Sequence, residues 1–182
     1  MLTAKGEYIV RIRKQFTDLI DHYGYKYCAE VGVFRGQFSK RLLDNSKLSV
    51  LYCIDSWEQG QQRARQTAGE NYQEARKVLR YYGDRVEIMK MSSMSAAQRF
   101  KPGFFDFVYL DADHEYGAVK ADLFAWWPLV RSGGCFAGHD YKDQPKGGKL
   151  VKKAVDEFFC GEDNVHHTVL DGDCKSWWTI KK

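Results

Sequence analysis

The sequence predicts an α/β fold: a doubly wound, mostly parallel sheet with helices on both faces. Three observations carry that expectation. Short apolar runs alternate with segments of helical period along the 182 residues, which is the pattern of a parallel sheet covered by helices. Several of the runs end in an acid or imidazole: Glu30, Asp55, Asp111 and the pair His139-Asp140. Hydrophobic residues make up 44% of the chain against 29% charged, a balance that supports a full core and argues against disorder.

Each element has its own signal. Ile9, Ile12, Phe16, Leu19 and Tyr23 share one helical face and predict the first helix. "YKYCAEVGV" reads as a strand ending near Glu30, followed by a helix over about 36–44 and the strand "LSVLYCID", which closes at Asp55. The polar stretch 58–70 leads into a helix marked by Tyr72, Ala75, Leu79 and Tyr82. "RVEIMKM" is the third strand, with a short helix over "SMSAAQRF" behind it. "FDFVYL" is the fourth, and Tyr116, Val119, Leu123 and Trp126 line one face of the helix after it. The fifth strand, "GCFAGHD", starts after a turn at Ser132-Gly133-Gly134. A helix carrying Leu150, Ala154, Val155, Phe158 and Phe159 then precedes "HHTVLD" and "KSWWTIKK", two strands that suit a hairpin around Gly172. No linker or repeat divides the chain. Residues 1–182 therefore read as one domain, with an N-terminal helix over 1–24 packed on a core over 25–182.

Composition narrows the classes of function. A net charge of +4 allows an acidic or phosphate-bearing partner but lacks the dense basic footprint of a nucleic-acid binder. No apolar run nears the ~18 residues of a membrane span, and the N-terminus lacks the apolar block of a signal peptide. The five cysteines (Cys28, Cys53, Cys135, Cys160 and Cys174) are odd in number and share no CxxC spacing. That usage points to a reducing compartment without disulfide framework or zinc site, so a cytoplasmic location is expected.

The ends of the strands carry the chemistry, because ligands of doubly wound sheets bind there. In "AEVGVFRGQFS", Gly32 and Gly36 bracket a strand-to-helix turn where a ligand can approach the backbone. A dinucleotide fingerprint needs a middle glycine where Phe34 stands, so a nicotinamide cofactor fits poorly. Glu30, two residues before Gly32, suits a cationic amine; the plain alternative is a surface acid beside a tight turn. Asp55 can accept from ribose hydroxyls or cap a helix. Ser56 follows it, and Trp57 either lies against a base or packs in the core. Asp113 is placed to cap the next helix, and His139-Asp140 can form a pair that orders a loop. Lys142, Lys146, Lys149, Lys152 and Lys153 read first as a solvated loop and helix face, with a lid for acidic substrates as the alternative. Trp126-Trp127 and Trp177-Trp178 read as core or interface.

"EVGVFRG", "IDSW", "DFVYLDADHEYGAVKADLFAWWPLVRSGG" and "GHDY" resemble class I S-adenosylmethionine-dependent methyltransferases, in the small branch with DxDH-like and GHDY-like motifs. The resemblance covers about residues 27–141 and implies a Rossmann-like, seven-stranded sheet of order 3-2-1-4-5-7-6 with its last strand antiparallel. It implies that Glu30, Gly32, Gly36, Asp55, Ser56, Trp57, Met91, Ser92 and Asp111 hold S-adenosylmethionine. Metal-dependent O-methyltransferases of this kind tolerate a bulky residue where Phe34 stands. By the same resemblance Asp111, His139 and Asp140 would hold magnesium or manganese, although relatives usually carry an acid or amide at the position of His139. His114 resembles the general base of sugar O-methyltransferases, a task its ordinary pKa suits.

The expected activity is thus methyl transfer from S-adenosylmethionine to a hydroxyl of a small or sugar-like acceptor, with a divalent metal and His114 assisting. Nucleic-acid and membrane partners are not expected, and a homo-oligomer is compatible with the sequence. Two rivals stay open: a module that binds S-adenosylmethionine without acceptor chemistry, and a metal-dependent hydrolase using Asp111, His139 and Asp140.

Overall fold

The computed structural model describes residues 8–11, 13–58, 67–144, 149–160, 166–169 and 175–182. Ile12, most of the polar stretch 58–70, Lys146, the turn at Gly172 and Cys174 lie outside them. The sheet has seven strands: β1 (Tyr27–Val31), β2 (Val50–Asp55), β3 (Val86–Lys90), β4 (Phe105–Leu110), β5 (Val130–Gly138), β6 (His166–Val169) and β7 (Lys175–Ile180). Their order is β3-β2-β1-β4-β5-β7-β6. β1 to β5 run parallel, and β7 is antiparallel to both its neighbours. This is the Rossmann-like topology expected of the sequence.

Six helices cover the sheet: α1 (Phe16–Tyr23), α2 (Gln37–Asn45), α3 (Ala68–Leu79), α4 (Ser93–Ala97), α5 (Tyr116–Trp126) and α6 (Val151–Phe158). Alternate residues of a strand face opposite sides. Cys28, Leu51, Cys53, Phe107 and Tyr109 accordingly pack under Phe16, Leu19, Leu42, Leu43, Ala75 and Leu79 of α1 to α3. Ala29, Val31, Ile54, Val108, Leu110 and Phe136 pack under Ala96, Val119, Leu123, Trp126, Ala154 and Val155 of α4 to α6. With both faces covered, the central strands read as unbroken apolar runs. Trp126, Trp177 and Trp178 are buried in these two layers. Lys142, Lys152 and Lys153 lie near Asp140, Asp156 and Glu157 respectively, the arrangement of a solvated face.

Two expectations need correction. The first helix does not begin near Ile9: residues 13–15 form a 3-10 turn and α1 starts only at Phe16. Arg13 opens that turn, and its guanidinium pairs with Asp111 at 2.8 Å. The Ser132-Gly133-Gly134 turn does not precede β5 but lies within it as a bulge. Phe105 pairs with Val130 and Phe107 with Cys135, so two steps along β4 oppose five along β5. Gly133 supplies a φ of +73°, and the Tyr25 hydroxyl donates to its carbonyl at 2.7 Å. Asp106 holds Arg131 from the facing strand at 2.6 Å.

Candidate active site

The winding of the chain reverses between β1 and β4, and the ligand crevice of such sheets lies outside the carboxyl ends of the strands there. At that point is a cavity of about 530 Å³, lined by Arg13, Glu30, Gly32, Phe34, Asp55, Ser92, Asp111, His114 and Asp122 among others. That volume suits a nucleoside-sized ligand.

The turn after β1 is fixed from both sides. Gly32 has a φ of +94°, and a Cβ there would lie 2.1 Å from the backbone oxygen of Asp111. The Gly32 amide donates to Ile54 at 2.8 Å, and the Asp111 amide donates to Val31 at 2.7 Å. Gly32 thus lets the ends of β2, β1 and β4 close on one another. Asp55 organises the rest: its carboxylate accepts from the amides of Val33 (3.0 Å), Phe34 (2.9 Å) and Trp57 (2.7 Å). Burial raises its pKa against the pull of those three donors. Phe34, Trp57 and Asp140 are the non-glycine residues with positive φ among the described residues, at +54°, +47° and +48°. All three stand at the ends of site strands. Backbone strain of about 1–3 kcal/mol at each persists only where the surroundings over-determine it.

Glu30 is 1% exposed and accepts a hydrogen bond from Ser39 of α2. Burial pushes its pKa up to about 8, although Ser39 and Arg13 oppose the rise. Arg13, which lines the same cavity, lies over the ring of Phe38, 4.1 Å from its centroid, and donates to Asp111 Oδ2 at 2.8 Å. Burial alone would lower the arginine's pKa; Tyr109, Asp111 and Glu30 outweigh it and the net shift is upward.

The other oxygen of Asp111 faces a second group of side chains. His139 Nδ1 lies 3.7 Å from Asp111 Oδ1 and 3.2 Å from Asp140 Oδ2. His114 Nε2 is buried, 3.1 Å from Asp140 Oδ2 and 3.8 Å from Asp111 Oδ1, in hydrogen-bond line with neither. These two carboxylates raise its pKa to about 9, and both histidines hold Asp140 far below the usual carboxylate range. Ligand atoms of Asp111, His139 and Asp140 lie within 4.8 Å of one another. A cavity of about 20 Å³ adjoins them, lined by Asp111, His114 and His139 among others, with room for one water-sized occupant.

A family model described as a methyltransferase domain matches residues 29–141. The chain belongs to that family. No curated protein matches this methyltransferase significantly. Among solved structures it is similar to the O-methyltransferase of Bacillus cereus in complex with SAH, at TM-score 0.67 and 17% identity, covering 92% of this chain and 80% of that one. It is similar to the O-methyltransferase TomG of Streptomyces achromogenes, involved in tomaymycin synthesis and solved with SAM, at TM-score 0.70 and 18% identity, covering 93% and 79%. A Clostridium thermocellum protein described as a candidate rRNA methylase aligns at TM-score 0.69 and 15% identity, covering 97% and 100%. At these identities the likeness is one of fold.

Of the residues expected to form the methyltransferase site, Glu30, Gly32, Asp55, Ser56, Ser92, Asp111 and His114 line the large cavity. His139 and Asp140 join the neighbouring cluster. Three do not reach the cavity. Gly36 caps α2, and a Cβ there would lie 3.3 Å from the Leu79 side chain of α3. Trp57 is 3% exposed, tilts against Tyr72 at 4.8 Å between centroids and donates to the Phe34 carbonyl, so it serves the core and the turn and presents no face to a base. Met91 packs under the sheet, and Met94 takes the cavity wall in its place. Arg13, Ser39, Ser93 and Asp122 were not anticipated. Asp122 is buried, accepts from Ser93 and has its pKa raised to about 6 by burial. Its signal was legible: it stands three residues after Val119 on the apolar face of α5, where an acid needs a partner. No local pattern separates Arg13 from Arg11 and Lys14.

Proposed function

We propose that this methyltransferase moves the methyl group of S-adenosylmethionine to a hydroxyl of a small acceptor. The observation that carries the reading is Asp111. One of its oxygens faces the large cavity through Arg13, and the other faces His114, His139 and the small cavity. A cofactor site and an acceptor site therefore share one wall, as in-line transfer between two held reactants requires.

Bound S-adenosylmethionine supplies an electrophilic methyl group on sulfonium. Glu30 would take its ammonium. Asp55, already committed to three amides, keeps acceptor capacity for a ribose hydroxyl. Ser92, Ser93 and Met94 with Ala118 and Ala121 form the wall available to the base. On the acceptor side Asp111, His139 and Asp140 form a donor set that fits a hard divalent ion, magnesium for its oxygens or manganese for its imidazole. Such an ion would lower the pKa of a hydroxyl beside it. His114, with its orphaned Nε2 aimed between Asp111 and Asp140, is the group to receive the hydroxyl proton. It must first lose the proton that those carboxylates now stabilise, so base action requires both to be neutralised. These two acids, with Asp113 beside them, disfavour a polyphosphate acceptor such as nucleic acid. Buried free thiols at Cys28, Cys53 and Cys135 support a reducing, cytoplasmic setting. Among the described residues no helix is long and apolar enough to cross a membrane.

The test is calorimetric titration of chelator-treated protein with S-adenosylhomocysteine, with and without magnesium. Micromolar binding, shifted when magnesium is added, is expected. No binding in either buffer would overturn the reading.

A further inference from the structure

The large cavity holds a cation that methyl transfer as described leaves without a task. Arg13 reaches it from the 3-10 turn before α1 and is clamped in place: its guanidinium stacks over Phe38 and lies 5.1 Å from the Tyr109 ring centroid. Asp111 Oδ2 takes one of its donors at 2.8 Å. Its Nε is buried and has no hydrogen-bond partner among the described residues. A buried donor without an acceptor is costly, and a planar fork of donors held in one orientation is suited to a carboxylate. Glu30 lines the same cavity, so a carboxyl group and a guanidinium border one ligand space. That is the complement of an α-amino acid, whose ammonium and carboxylate sit on one carbon.

We propose that Arg13 binds the α-carboxylate of the cofactor's methionyl group and, with Glu30, forms a receptor for the zwitterion. The inference rests on the S-adenosylmethionine reading given above. It makes the turn before α1 part of the binding site, outside the stretch matched by the family model. Asp111 then has a second duty, because it orients the guanidinium that meets the ligand.

The test compares two ligands that differ in one group: S-adenosylhomocysteine and its decarboxylated analogue, S-adenosyl-3-thiopropylamine. Both are titrated calorimetrically into the wild type, Arg13→Lys and Arg13→Ala. The wild type should prefer the carboxylate-bearing ligand on the order of 10- to 100-fold, the range of a charge-assisted hydrogen bond. Arg13→Ala should bind the two alike, and Arg13→Lys, which keeps the charge but not the fork, should fall between. If Arg13→Ala does not fold, the lysine variant and the wild-type preference still decide the matter. Equal weakening of both ligands in the variants would show that Arg13 only supports the fold. A wild type that binds both ligands equally would overturn the arginine anchor while leaving the cofactor reading intact. A wild type that binds neither would remove both.

Discussion

Glu30 is the most deeply buried carboxyl group of the site among the described residues. Its pKa of about 8 stands well above the ordinary value near 4.5. In the folded protein it therefore keeps a proton that the unfolded chain gives up. For an acid raised in this way, the stabilising contribution is fully present below the unfolded pKa and is lost as pH rises through the folded one. The window runs from about pH 4.5 to 8, and the shift sets an upper bound of about 4–5 kcal/mol on the loss. The urea midpoint of ligand-free protein should accordingly fall between pH 5 and pH 9. Glu30→Gln, which is never charged, should flatten that slope. Parallel curves for wild type and variant would place the pH dependence elsewhere. The same burial explains why a ligand ammonium suits this position: it offers the carboxylate the partner that the folded chain supplies only through Ser39 and, more distantly, Arg13.

At the level of elements, the turn after β1 shows what sequence reading can and cannot recover. The sheet was legible because strands covered on both faces must be apolar along their whole length, and because Glu30, Asp55, Asp111 and His139 marked where each run stopped. Gly32 was also legible as a site glycine, but its purpose was not. It gives room to the Asp111 backbone and not chiefly to a ligand, a contact set by β1 pairing with β4 across a long crossover. The bulge in β5 and the bend at Arg13 were hidden for a similar reason: each is held by a partner far along the chain, Tyr25 in one case and Asp111 in the other. Trp57 misled because an aromatic after a site acid can face either way, and Tyr72 decided it. The consequence for Gly32→Ala is direct. A methyl group 2.1 Å from a carbonyl oxygen, at a φ of +94°, must force the ends of β1 and β4 apart. Destabilisation of about 2 kcal/mol or more is expected by chemical denaturation, with loss of S-adenosylhomocysteine binding. A variant of wild-type stability would show that the two strand ends do not close as described.

Across the whole molecule, the two proposed half-sites share a wall, and Asp111 in that wall touches charged groups on both sides. On the proposed reading Arg13 and Glu30 serve the cofactor, His139 and Asp140 serve the acceptor, and His114 borders both cavities. Asp111 gives an oxygen to each: Oδ2 to Arg13 and Oδ1 toward the histidines. Affinities on the two sides should therefore be separable at residues that border one side only, and coupled at this residue. Asp140→Asn should weaken manganese binding by at least about tenfold and leave S-adenosylhomocysteine affinity in metal-free buffer unchanged, both read by titration. Asp111→Asn should weaken both, because it removes the charge that orients Arg13 together with a ligand of the ion. By linkage, a ligand that alters manganese affinity must be altered by manganese to the same extent. The coupling measured in the wild type should accordingly be reciprocal, and it should vanish in Asp111→Asn even at saturating concentrations. Persistence of that coupling without the Asp111 carboxylate would mean that the sites communicate by another route, with the loop carrying His139 and Asp140 as the next place to look.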